Sequence, residues 1–134
     1  MKNSLKVSIT LPARAKEIYE AWLDSKEHSA FTGARAVVSD KVGGKFSAWD
    51  DYISGKNLEL KSGKKIVQSW RTTDFDDSDS DSNLEITFEE EKDKTKITLM
   101  QTGIPEGQKE ELEKGWEDFY FSPMKKYFEE KNNK

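Results

Sequence analysis

The chain has 134 residues, 36% of them charged, with 22 basic against 26 acidic side chains and a formal net charge of -4. An acidic chain whose lysines and arginines are dispersed lacks the counterion-releasing basic face that binds nucleic acid, so nucleic acid is not an expected partner. Cysteine is absent, which excludes disulfides and thiolate metal sites and fits a cytoplasmic location; the opening MKNSLKVSITLP lacks an apolar signal core, and no segment is long and apolar enough to span a bilayer. One core and one domain, 1–134, are expected at this length.

In chain order, Leu5, Val7, Ile9 and Leu11 alternate with Lys6, Ser8 and Thr10, the period of a half-buried strand. Pro12 sits where a first helical turn begins, and Ile18, Tyr19, Trp22 and Leu23 recur at helical spacing. Asp24 or Ser25 can cap a second short helix running towards Phe31 and ending near Gly33. From Ala34 the pattern becomes strands separated by Gly, Asp and Ser: Ala36–Ser39, Lys45–Trp49, Ile53–Leu60, Lys64–Thr72, Asn83–Glu91 and Thr95–Thr102. Gly43-Gly44 and Ser62-Gly63 offer positive φ for tight turns. Ile53 is out of phase with Leu58 and Leu60, which predicts a bulge or bend at Gly55. After Pro105 a last helix places Leu112, Trp116, Phe119, Tyr120, Met124, Tyr127 and Phe128 on one face, with a kink expected at Pro123, which cannot donate to the carbonyl of Phe119.

This order is an α+β fold: a strongly curved antiparallel sheet of about seven strands, two short helices after the first strand, and a long C-terminal helix packed across the sheet. The motifs along it are Phe31-Thr32-Gly33, Val42-Gly43-Gly44-Lys45-Phe46-Ser47, Trp49-Asp50, Ile53-Ser54-Gly55, Leu58-Glu59-Leu60, Ile66-Val67, Trp70-Arg71, Gly103-Ile104-Pro105, Gly115-Trp116 and Tyr120-Phe121. In that order they resemble the C-terminal domain of the activator of the heat-shock protein 90 ATPase, within the START-like (SRPBCC) helix-grip superfamily. The resemblance implies a non-enzymatic binding domain, co-chaperone-like or stress-related, with heat-shock protein 90 as its partner. Full-length activators also carry an N-terminal domain central to docking and stimulation, and this chain opens directly on the first strand of the C-terminal type.

The fold also offers an enclosed site between the last helix and the sheet, bordered by Trp22, Phe31, Trp49, Trp70, Met100, Trp116, Tyr120 and Met124. If those rings leave space, a small hydrophobic ligand fits there; aromatic stripes also simply fill cores, and four tryptophans occupy much volume. His28, the one histidine, lies in the polar run Asp24 to Ser29 and reads as solvated rather than as a general base. No catalytic triad or zinc spacing is present. Asp50, Asp51 and Arg71 take turn and strand-end roles, and Gly43-Gly44 lacks the flanking residues of a phosphate-binding loop. In DFDDSDSDS, Asp77, Asp79 and Asp81 match the first three ligand positions of a calcium loop, but Ser82 stands where Gly is needed and Phe88 where Glu is needed. No cofactor is expected, and a monomer is, since no second apolar surface is evident.

Overall fold

A computed structural model describes residues 3–132. Six antiparallel strands, β1 (Asn3–Leu11), β2 (Lys45–Ala48), β3 (Ile53–Lys61), β4 (Lys65–Thr72), β5 (Ser82–Glu91) and β6 (Lys94–Ile104), form one curved sheet in the order β1-β6-β5-β4-β3-β2. Helices α1 (Ala15–Trp22) and α2 (Ser25–Thr32) fill the connection from β1 to β2. The chain closes with α3 (Lys109–Gly115), a π-helical segment (Trp116–Phe121) and α4 (Ser122–Asn132), a continuous run lying against β1 and α2.

Strict alternation builds the inner face of the sheet. On β4, Ile66, Gln68, Trp70 and Thr72 are buried; on β5, Ser82, Leu84, Ile86 and Phe88; on β6, Thr95, Ile97, Leu99 and Gln101. The helices cover this face, and the opposite face carries the lysines, glutamates and threonines of the intervening positions. Asp24 caps α2 by accepting from the backbone N–H groups of Lys26 at 2.8 Å and Glu27 at 3.3 Å, and Gly33 ends it at φ 80. The first helix begins at Ala15, later than the position of Pro12 suggests.

The sheet has six strands and not seven, because Ala36–Ser39 makes only one bridge, Val37 to Ser47. The backbone groups of Ala36 and Val38 are instead met by serine side chains of α2. The Ala36 N–H donates to Ser29 Oγ at 2.9 Å and the Val38 N–H to Ser25 Oγ at 2.8 Å, so no further strand is needed to satisfy them.

The irregularity of β3 also lies elsewhere than expected. Gly55 pairs in register with Trp70, and the register shifts between Asn57 and Glu59, making Leu58 the extra residue; it is 45% exposed while Leu60 returns to the inner face opposite Ile66. Gly55 is required for close approach: a Cβ there would lie 1.8 Å from the Ser69 carbonyl oxygen and 2.9 Å from the Phe46 ring. Gly55→Ala must push β3 and β4 apart and is expected to cost towards the top of the roughly 1–3 kcal/mol range of overpacking. Urea unfolding checks this, and a loss below about 0.5 kcal/mol, the surface norm, would contradict the contact.

Pro123 does not break the last helix. The disturbance appears just before it, where the Ser122 N–H bonds back five residues to the Glu117 carbonyl. That wider turn brings Phe121 to the buried side beside Trp116 and Tyr120, and rotates Phe119 outward, where it is 58% exposed. Phe119 is therefore not on the buried face that a uniform 3.6 period assigns to it.

Candidate functional site

Between the start of the C-terminal helix and the end of the sheet nearest the β2–β3 turn lies an apolar pocket of about 360 Å³. Its floor is built by Ile53 on β3, Trp70 on β4, and Trp116 and Tyr120 on the π-helical segment, all buried. Trp49 forms one wall, and Tyr52, Glu111 and Phe119 border the mouth, where Tyr52 is 38% exposed. The π turn matters here: it sets Trp116 and Tyr120 inward while Phe119 overhangs the opening, its ring edge-on to Trp49 at 5.7 Å.

Of the residues that sequence reasoning grouped around a cavity, Trp49, Trp70, Trp116 and Tyr120 come together at this pocket. Trp22, Phe31 and Met124 are buried in the adjoining core under α1, α2 and α4 and do not line it. Met100 is 38% exposed and sits on the outer face of β6, between Lys6 of β1 and Glu85 of β5. Tyr52, Ile53, Thr72, Glu111, Leu112, Gly115 and Phe119 also line the pocket and were not singled out. The turn after Trp49 and the helical position of Leu112 were the available signals.

Two hydrogen-bonded relays support the pocket from behind. Trp116 Nε1 donates to Gln101 Oε1 at 2.9 Å, Gln101 Nε2 donates to Ser82 Oγ at 2.9 Å, and Ser82 Oγ donates to the Trp70 carbonyl at 2.7 Å. On the other side Trp22 Nε1 donates to Gln68 Oε1 at 3.3 Å, Gln68 Nε2 to Asn57 Oδ1 at 2.8 Å, and Asn57 Nδ2 to the carbonyls of Ser39 and Lys41. These buried amides each find partners, so they fix ring orientation without leaving dry polar atoms.

His28 is not solvated; it is 2% exposed, with Nδ1 2.9 Å from the Trp22 carbonyl and Nε2 3.0 Å from the Tyr120 hydroxyl. A carbonyl can only accept, so Nδ1 carries the proton, Nε2 accepts, and the Tyr120 hydroxyl donates to it. Burial lowers the His28 pKa to about 4, the Trp22 carbonyl offsetting this only in part, and burial also holds the Tyr120 phenol protonated far above its ordinary range. The Trp22, Phe31 and Tyr120 rings enclose the imidazole. His28, Phe31 and Thr32 lie at helical i, i+3, i+4 spacing, the signal that the polar run conceals.

The acidic loop between β4 and β5 is gathered by Arg71, whose guanidinium donates to the Asp76 and Asp79 carbonyls at 2.9 Å and to the Asp81 carboxylate at 3.0 Å. A strand-end cation thus sits where the calcium reading would have put an ion. Asp51 forms an exposed pair with Arg35 at 3.4 Å, and Asp50 lies in the turn.

Comparison with known proteins gives a consistent picture. The sequence model of a family described as activator of Hsp90 ATPase homolog 1-like protein matches residues 12–129. The activator of 90 kDa heat shock protein ATPase homolog of Dictyostelium discoideum is 31% identical over 114 residues, covering 85% of this chain and 30% of that protein. The chain spans about a third of the length of the curated relatives it matches. The crystal structure of an HSP90 activator from Plasmodium falciparum superposes with a TM-score of 0.82 at 26% identity, covering 89% of this chain and 91% of that one. The Aha1 dimer from Colwellia psychrerythraea shares the fold at a TM-score of 0.76 and 13% identity, over 91% of this chain and 93% of that one.

Proposed function

The chain belongs to the activator of Hsp90 ATPase homolog 1-like family, and from that membership we propose that it works by binding, as a non-enzymatic, co-chaperone-like module of the cytoplasm whose partner is a heat-shock protein 90. The observation that carries this is the family match along residues 12–129, joined to a neighbour of the same fold that is itself an HSP90 activator. The proposed contact surface is the outer face of the sheet and its loops, where Lys6, Met100, Glu85 and Val67 stand in one cross-strand row. The proposed unit is a monomer.

The test is a titration of isotopically labelled protein with the heat-shock protein 90 of its host. Shifts confined to the amides around Lys6, Met100 and Glu85, with a changed ATPase rate, are the expected result. No shift and no rate change at micromolar concentrations would sink the reading.

A second reading is favoured by the pocket itself: a carrier or sensor of a small hydrophobic ligand held between the C-terminal helix and the sheet. Its volume lies within the ordinary range for small-molecule sites and its floor is nearly all aromatic. Apolar ligands should quench tryptophan fluorescence and raise the melting temperature by mass action. A broad library without any shift would remove this reading.

A further inference from the structure

We infer that the pocket beneath Phe119 takes a cationic amphiphile, an apolar ring body carrying one ammonium group, held body inward with its charge at the mouth beside Glu111 and Asp74; this rests on the carrier reading above and specifies its ligand. Among the described residues, Glu111 is the one charged side chain lining the pocket, and no lysine or arginine joins it. Neither Glu111 nor Asp74 stands in an ion pair. The mouth therefore carries negative charge that the fold leaves unbalanced.

Hydrogen bonds bring the two carboxylates to one rim. Asp74 opens the acidic loop after β4; its carboxylate accepts from the Tyr52 hydroxyl at 2.5 Å, and its carbonyl accepts from Gln108 Nε2 at 3.1 Å. Gln108 immediately precedes α3, and Glu111 follows it by one helical turn. The arginines of this end of the sheet are engaged elsewhere: Arg71 with the loop carbonyls and Asp81, Arg35 with Asp51. The Tyr52 phenol responds to its surroundings, since burial, then the hydrogen bond to Asp74 and the charges of Asp74 and Glu111, hold its pKa above the ordinary value.

The interior asks for no polar group. The Trp116 N–H and the Tyr120 hydroxyl are turned to Gln101 and His28 behind the floor, Thr72 Oγ1 accepts from the Asp74 N–H at 3.0 Å, and the Trp49 N–H has essentially no exposed surface. An apolar ring body matches that lining, whereas a charge placed there would lose its hydration without return. At the mouth the balance reverses. Tyr52 and Phe119 are 38% and 58% exposed, so an ammonium can stay wet while meeting two aromatic rings and two carboxylates. Each such contact is weak in solvent, and together they set the sign of the preferred head group more than the depth of binding. An anion would be repelled by Glu111, and a neutral head would gain neither attraction.

The probes are naphthylmethylamine, naphthylmethanol and naphthylacetate, titrated into protein labelled in its four tryptophan indoles. The expected result is that the amine binds about tenfold more tightly than the alcohol at low salt, the combined margin of exposed ion-pair and cation–π contacts, with the acetate weakest. The indole signals of Trp49, Trp70 and Trp116 should move more than that of Trp22, and the margin should narrow at high salt. Glu111→Gln should cut the amine-to-alcohol ratio to about threefold, and adding Asp74→Asn should bring it close to unity. Since each change alters the net charge by only one, a preference set by the overall acidity of the chain would persist in both variants and overturn the inference. Equal binding of amine and alcohol, or tightest binding by the acetate, overturns it and leaves the carrier reading standing. An amine that binds tightest without moving the pocket indoles has bound elsewhere and overturns it as well, and no binding by any probe removes both readings. Glu111 is exposed on its helix; should the double variant not fold, Glu111→Gln and the three-probe comparison on the natural protein still decide.

Discussion

Replacing Trp116 by alanine is expected to remove roughly 3–5 kcal/mol of folding stability, the cost of truncating a buried large aromatic, and to land at the upper end of that range. The side chain is 2% exposed, its ring lies 5.3 Å from Trp70 and 5.0 Å from Tyr120, and its N–H is the donor that starts the relay through Gln101 and Ser82 to the Trp70 carbonyl. Alanine empties the ring volume and leaves Gln101 Oε1, itself fully buried, with an unmet acceptor. Trp116→Phe weights the two effects differently, keeping the larger part of the packing while losing the donor, and should cost about 1–3 kcal/mol. Phe119→Ala, three residues on but turned outward, should stay within about 0.5 kcal/mol. Urea unfolding of the three variants is the check. A loss at Phe119 as large as that at Trp116 would mean that the π-helical turn is absent in solution and the uniform helical period, which buries both, is correct.

That contrast marks where the sequence is legible and where it is not. The strands of the sheet can be read because alternation forces one face inward: Leu84, Ile86 and Phe88 leave no other phase. The same rule carries further than apolar residues alone suggest. Gln68 and Gln101 share the parity of Ile66 and Leu99 and are buried with them, while Met100 has the opposite parity and faces out despite its side chain. Ala36–Ser39 is extended yet not a strand, because two serines on α2 supply the partners a neighbouring strand would have given. At the pocket, Trp49, Trp70, Trp116 and Tyr120 were identifiable as large aromatics near turns and on the last helix. The change of helical register that turns Phe119 out is not written in any spacing, and only the folded chain shows it.

Acidification is expected to destabilise the protein through His28 by about 3 kcal/mol between pH 6.5 and pH 4. The folded state keeps the imidazole neutral down to about 4, whereas the unfolded chain takes up a proton at the ordinary value of 6.5. Within that window the unfolded state binds more protons, so stability falls as pH falls, at about 1.4 kcal/mol per pH unit once the unfolded histidine is charged. Above pH 6.5 the contribution is complete, and below 4 both states are protonated and the loss levels off. The cause is the enclosure already described: protonated His28 would put a charge among Trp22, Phe31 and Tyr120, and Nε2 would cease to accept the Tyr120 proton. With one histidine in the chain, its imidazole resonance is unambiguous and can be followed directly. His28→Phe supplies the second arm. It should be less stable than the natural protein at pH 7, by about 1–3 kcal/mol for each of the Trp22 carbonyl and Tyr120 hydroxyl left without a partner, but its stability should slope far less between pH 6.5 and 4. An imidazole that titrates near 6.5 in the folded protein, or equal slopes for the two proteins, would show that water reaches His28. The Tyr120 hydroxyl would then no longer be committed to it, and the polarity of the pocket floor would have to be assigned afresh.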